Sequence, residues 1–173
     1  SSQNQVNLAY VGFLELKDAI IADAQNAVSL IGLQPGGGLD WSKTGGLVQA
    51  TNSDFVNNKR DVEFMSYHPK SNTGLEQPNR SYFNNCKFIT NNSLKFWNNG
   101  FPHVTMWDVN GIKFLGCSFE NNRSYIDKKN PLARIGIYTI NSTYTVNSLC
   151  NNPFEIPCNT IPTQFLNLHK AIE

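Results

Sequence analysis

Residues 85–92 read NCKFITNN, and three other stretches repeat the outline: NSDFVNN from Asn52, GCSFENN from Gly116 and NSTYTVN from Asn141. Each opens on a turn-former, follows it with a small residue and sets an aromatic two places beyond the small one. Anchored on the small residue, the series is Ala19, Ser53, Cys86, Cys117, Ser142 and Thr163. Two places on stand Ile21, Phe55, Phe88, Phe119, Tyr144 and Phe165. One place earlier stand Asp18, Asn52, Asn85, Gly116 and Asn141, with Pro162 breaking the rule. Gly, Asn and Asp enter the left-handed backbone region at the lowest cost, so this position reads as a sharp bend.

The match extends to both sides. Upstream, Leu14/Leu16, Val48/Ala50 and Ile112/Phe114 alternate with polar residues, as a strand with one buried face does. Downstream, Asp23, Asn57, Asn121 and Asn167 lie two residues beyond the large one, and Val28, Val62, Ile126 and Ile172 lie seven beyond it. The Phe88 and Tyr144 units slip by about one residue, the displacement a bulge produces. The anchors step by 34, 33, 31, 25 and 21 residues. A constant unit joined by a shrinking connection predicts a solenoid of short strands and bends, with one small and one large column stacked inside.

Composition agrees. The chain has 173 residues, a formal net charge of +1 and only 16% charged residues, which argues against a nucleic-acid or acidic-membrane partner. No apolar run reaches the roughly 18 residues that span a bilayer. Asparagine is the unusual residue, at 24 positions. It is disfavoured in helix and strand interiors and favoured in tight turns, so many short strands are expected.

The bend–small–x–large units resemble those of the right-handed parallel β-helix, the fold of pectate-lyase-like enzymes, phage tailspikes and many bacterial surface proteins. The resemblance covers nearly the whole chain. It implies an all-β solenoid of five to six coils, one segment over residues 1–173, with Asn52 and Asn85 stacked in a ladder on neighbouring coils. The Asn-rich coils are also similar to large secreted or cell-surface proteins of Bacteroidota-like bacteria. FLNLHKAIE aligns with IADAQNAVS and stops inside a coil, so the chain reads as an uncapped piece of a longer protein. LKDAIIADAQNAV also fits a short helix, with Leu16, Ile20, Ala24 and Ala27 on one face, but its match to the repeat columns favours a coil.

Longer loops are expected at about residues 31–46, 67–80 and 97–106, leaving successive coils at one phase and standing side by side as a wall. PGGG at residues 35–38 followed by Lys43 and Thr44 suggests a phosphate loop, but Ser42 stands where that motif needs Gly. The wall carries Trp41, Tyr67, His68, Trp97, His103 and Trp107 as candidate ligand-binding residues. Aromatic faces beside Asn and Asp suit sugar rings, and the same aromatics also serve simply to cover a coil edge.

Catalysis has little support. Lyases of the resembling fold use clustered acids for calcium and a basic residue for proton abstraction, whereas Asp54, Asp61, Glu63, Asp108 and Glu120 are scattered over several coils. An enzyme here would be a polysaccharide lyase or a glycoside hydrolase. His68, His103 and His169 share no ligand spacing, so neither a metal nor another cofactor is expected. Cys86 and Cys117 read as small buried fillers, while Cys150 and Cys158 flank NNPFEIP and suit a disulfide in an exported protein. The expected role is a structural or adhesive segment of an extracellular or surface protein, with a glycan or another surface protein as partner. The alternative is a carbohydrate-binding or carbohydrate-cleaving domain.

Overall fold

A computed structural model describes residues 12–32, 36, 38, 40, 45–71, 73–96, 101–124, 134–152 and 154–173. The bend residues set its architecture. Asp18, Asn52 and Asn85 have φ of 50°, 51° and 51°, and Gly116 has 63°. Asp23, Asn57 and Asn167 turn the chain at a second corner (58°, 55°, 56°), and Asp108 and Asn141 at a third (54°, 51°). The same left-handed conformation therefore recurs at all three kinds of corner wherever no insertion replaces the bend, which is why short polar residues that tolerate it are so abundant.

The first rung comprises β1 (Phe13–Lys17), β2 (Ile20–Ala22) and β3 (Asn26–Ser29). The second comprises β4 (Leu47–Thr51), β5 (Asp54–Val56) and β6 (Arg60–Phe64), and the third β7 (Tyr82–Asn84), β8 (Lys87–Thr90) and β9 (Val104–Trp107). The fourth has β10 (Asn110–Leu115), β11 (Ser118–Asn121) and β12 (Ile135–Ile140). The fifth has β13 (Thr143–Asn147), a hairpin of β14 (Leu149–Cys150) and β15 (Thr160–Ile161), then β16 (Gln164–Leu166) and β17 (Lys170–Ile172). Corresponding strands pair in parallel to form three five-stranded sheets, A (β1-β4-β7-β10-β13), B (β2-β5-β8-β11-β16) and C (β3-β6-β9-β12-β17). The fold is an all-β parallel solenoid, and no helix occurs among the described residues.

Pairing in register puts like residues on like. Ile21, Phe55, Phe88, Phe119 and Phe165 form one interior column, and Val28, Val62, Val104, Ile137 and Ile172 another. Neighbouring strands of any sheet lie about 4.7–4.9 Å apart, so aligned rings have to stack at that spacing. Phe55–Phe88, Phe88–Phe119 and Phe119–Phe165 do so at centroid distances of 4.9, 4.6 and 4.8 Å, with planes within 6° of parallel. Phe83 and Phe114 stack likewise from sheet A, at 5.1 Å. The columns are fully buried in the middle rungs, while Leu14, Leu16 and Ile21 in the first rung and Tyr144, Val146 and Phe165 in the last are half-buried.

The expected ladder is present. Asn85 Nδ2 donates to Asn52 Oδ1 at 3.0 Å, and Asn52 Nδ2 donates to Asp18 Oδ1 at 3.2 Å. A second ladder runs up the C-to-A corner, where Asn141 Nδ2 donates to Asp108 Oδ1 at 2.7 Å. Each side-chain amide thus ties the backbone bend of one rung to that of the next.

Several sequence expectations need correction. The Ser142–Tyr144 unit is not in the small-and-large column, because Tyr144 pairs with Ile112 in sheet A and the Val109 amide donates to Ser142 Oγ. Asn141 makes the C-to-A bend, a corner with the same chemistry as the A-to-B bend. Thr163 is the true fifth anchor: Cys117 N donates to its Oγ1 across 46 residues. The connection therefore lengthens at the last step, to admit the hairpin. Ile126 lies outside the described residues, and Ile137 holds the column position assigned to it.

The insertions do not form one wall either. Residues 31–46 and 67–80 leave the C-to-A corner, residues 91–103 leave B-to-C, and the hairpin leaves A-to-B. Within the loop expected at 97–106, residues from Val104 onward are strand β9.

Candidate functional site

Three polar constellations stand out among the described residues. The first is on the C-to-A corner. Tyr67 makes a parallel bridge to Val109, carrying the 67–80 loop over the Asp108 bend, and Lys70 pairs with Glu76 to close the loop on itself. His68 then bridges two acids, with Nε2 2.9 Å from Asp108 Oδ2 and Nδ1 2.9 Å from Glu76 Oε1. Hydrogen bonds to Asp108 and then Glu76 raise the His68 pKa, and the bond to His68 correspondingly lowers that of each acid. Ser66 Oγ donates to Asp108 Oδ2 at 2.7 Å and Asn110 Nδ2 to Glu76 Oε1 at 3.4 Å. Both ring nitrogens are engaged by carboxylates, and the serine addresses the aspartate rather than the histidine. The geometry is a latch holding the loop to the next rung; a nucleophile–base relay needs serine and histidine in contact.

The second constellation is internal. Asp61 lies at the start of sheet C in the second rung and His103 one rung above, with His103 Nδ1 2.5 Å from Asp61 Oδ2 and both side chains fully buried. A carboxylate only accepts, so Nδ1 carries the hydrogen. Burial, then the charge of Arg134, push the His103 pKa down, and the bond to Asp61 only partly opposes them. Asn58 Nδ2 donates to Asp61 Oδ1 at 2.9 Å. Arg134, 2% exposed, donates to the carbonyls of Asn58 (2.7 Å), Lys59 (3.0 Å) and Phe101 (3.1 Å) and to Thr90 Oγ1 (2.8 Å). One guanidinium thus joins three rungs from within. Burial lowers its pKa while Asp61 supports the charge.

The third lies on the outer face of sheet C. Register aligns Ser29, Glu63, Thr105 and Tyr138 in one outward row. Arg60 bonds Glu63 at 3.2 Å and stacks on the Phe101 ring at 4.6 Å, with Lys59 Nζ 5.0 Å from the same ring. Phe101, Tyr138, Arg60, Glu63 and Thr105 enclose a groove of about 250 Å³. An aromatic wall beside an acceptor and a donor is the chemistry that holds a sugar ring.

Of the six candidate residues, Trp41 and Trp97 lie outside the described residues. Tyr67 is half-buried against the core and His68 is the latch. Trp107 is 47% exposed on the outer face of sheet C, beside the Asp108 bend. His103 is not a surface residue at all, because the strand begun at Val104 draws it inside. Spacing gave no hint of Arg134, Phe101 or Tyr138. Tyr138 alternates with buried Ile137, and that parity marks it as outward once the strand is known.

Cys150 and Cys158 form a disulfide with Cα atoms 5.9 Å apart, and Cys86 and Cys117 are free and buried. A stable disulfide is characteristic of an oxidising compartment. A scan against protein-family models finds no match, and comparison with curated proteins and with solved structures finds no significant similarity. Fold and site together define a class, a parallel β-solenoid bearing one disulfide.

Proposed function

We propose that this chain is a structural or adhesive segment of a large secreted or cell-surface bacterial protein. The observation that carries this reading is the continuity of its ladders. At each kind of corner asparagine or aspartate side chains link successive rungs, and stacked rings do so in the columns of sheets A and B, which suits a rod that transmits load along its axis. The disulfide supports an extracellular setting. Kinship with the right-handed, pectate-lyase-like helices and an origin in Bacteroidota-like bacteria belong to this same proposal and rest on the repeat pattern.

A second reading is favoured by the groove between Phe101 and Tyr138, which offers a carbohydrate-binding surface in place of the expected loop wall. A glycan array and a polysaccharide-lyase assay on the purified chain separate the two. The structural reading expects neither binding nor cleavage. Glycan binding that is lost in Phe101→Ala/Tyr138→Ala, with the fold intact, would transfer the assignment to the second.

A further inference from the structure

In rungs one to four the chain passes from sheet A to sheet B through two residues, such as Asn85 and Cys86. The fifth rung inserts residues 148–163 at that corner, an excursion the solenoid itself does not require. The excursion is built firmly. Leu149 pairs with Ile161 and Cys150 with Thr160, the disulfide closes the strands, and Asn151 N donates to Asn159 O at 2.9 Å. At its base Leu149 and Ile161 sit over the Gly116 bend, where an added Cβ would come within 2.6 Å of Leu149 Cβ. Inside the tip, Phe154 N donates to Asn152 Oδ1 at 3.1 Å and Glu155 N to Asn152 O at 3.1 Å.

This closed loop holds Phe154 and Ile156 out to solvent, 93% and 97% exposed. Apolar side chains fixed in a covalently closed loop bind with little further loss of conformational freedom. Between them stands Glu155, the only charged residue between the two cysteines. A lone acid with no cation is repelled by anionic lipid headgroups, so the tip favours a protein cleft with a cationic rim. The chain itself carries one. On the outer face of sheet A, Pro78, Tyr82 and Gly111 form a cleft of about 340 Å³. Its two charged lining residues, Arg80 and Lys113, are both exposed cations.

We propose that the disulfide-closed hairpin docks Phe154 and Ile156 into the Pro78–Tyr82 cleft of a second copy of this chain, with Glu155 facing Arg80 and Lys113. The contact joins two different surfaces, so it builds either a closed reciprocal pair or a longer array. It does not depend on the load-bearing role proposed above.

Sedimentation velocity over a concentration series, without reductant, tests this. The wild-type chain is expected to self-associate, and Phe154→Ser/Ile156→Ser to associate at least roughly tenfold more weakly, as loss of an aromatic anchor implies. Arg80→Glu/Lys113→Glu, on the opposite surface, should weaken association as well, and adding Glu155→Lys to that variant should restore part of it. Far-ultraviolet circular dichroism checks that each variant keeps its fold. A wild-type chain that stays monomeric at the highest concentration reached overturns the proposal. So does unchanged association in either double variant, or flotation of the wild-type chain with phosphatidylcholine vesicles that is lost in Phe154→Ser/Ile156→Ser.

Discussion

His103 places its Nδ1 2.5 Å from a carboxylate oxygen of Asp61, 42 residues away in sequence, and neither side chain touches solvent. Beside them lies the Arg134 guanidinium, whose buried charge has Asp61 as its electrostatic support. Removing one partner of a buried charged group is costly because the other stays uncompensated. Asp61→Ala should therefore destabilise the protein by about 3–5 kcal/mol. Denaturant unfolding monitored by tryptophan fluorescence reads this directly, and a shift below ~1 kcal/mol, the size of a surface pair, contradicts the assignment.

The two engaged histidines should give opposite pH responses. The His68 pKa is raised by Asp108 and Glu76, so its contribution is complete below the unfolded value of about 6.5 and is lost as pH rises through the folded value. Burial depresses the His103 pKa, so its contribution is present above about 6.5 and is lost as pH falls below that value. Stability measured across pH should lose its alkaline decline in His68→Gln and part of its acid decline in His103→Gln. The reverse pattern would mean that the two environments have been interchanged.

Phe88 is the most enclosed ring of the phenylalanine column, stacked at 4.9 Å on Phe55 and 4.6 Å on Phe119 and met edge-on by Phe83 and Phe114. Phe88→Ala should cost about 3–5 kcal/mol, since its neighbours are fixed by the ladders and cannot collapse into the space. Phe165→Ala, at the half-buried end of the same column, should cost clearly less. Equal losses in the two unfolding curves would show that the column is not the core.

Asn85 occupies φ 51° and donates to Asn52. Asn85→Ala should cost about 1–3 kcal/mol, because alanine gains strain at this φ and the ladder bond is lost. Asn85→Gly relieves the strain but not the lost bond, so its melting temperature should fall between those of wild type and Asn85→Ala. An alanine variant as stable as the glycine one would rule out a left-handed bend at this position.

Cys117 is buried, with its Sγ 3.2 Å from the Phe83 carbonyl, and the neighbouring Cys86 and burial both raise its pKa. A thiol reagent applied to the native protein should find neither Cys86 nor Cys117, and should react with both once denaturant is added. Cys117→Lys should prevent stable folding, because it places a charge without a partner in the column. Rapid labelling of the native protein would place these thiols outside the column.

The bend–small–x–large unit was legible in the sequence because its chemistry is local. A left-handed bend selects Asn, Asp or Gly wherever it occurs, and stacked interior positions select the same size of side chain on each circuit. The columns through Phe55, Phe88 and Phe119 and the Asn52–Asn85 ladder follow from that kind of information, and the pairing of Cys150 with Cys158 from the short span NNPFEIP that they flank. Which corner a unit occupies does not, because all three corners use the same conformation. Asn141–Ser142–Thr143–Tyr144 satisfies the motif equally well at the C-to-A bend, and only pairing of Tyr144 with Ile112 assigns it there. The meeting of His103 with Asp61, and of Arg134 with the carbonyls of Asn58 and Lys59, likewise depends on where insertions enter the circuit. An inserted loop changes the sequence distance between stacked residues without changing their spatial one. Tertiary stacking therefore decided the buried polar network and the outer groove, while the amino-acid sequence determined the rung.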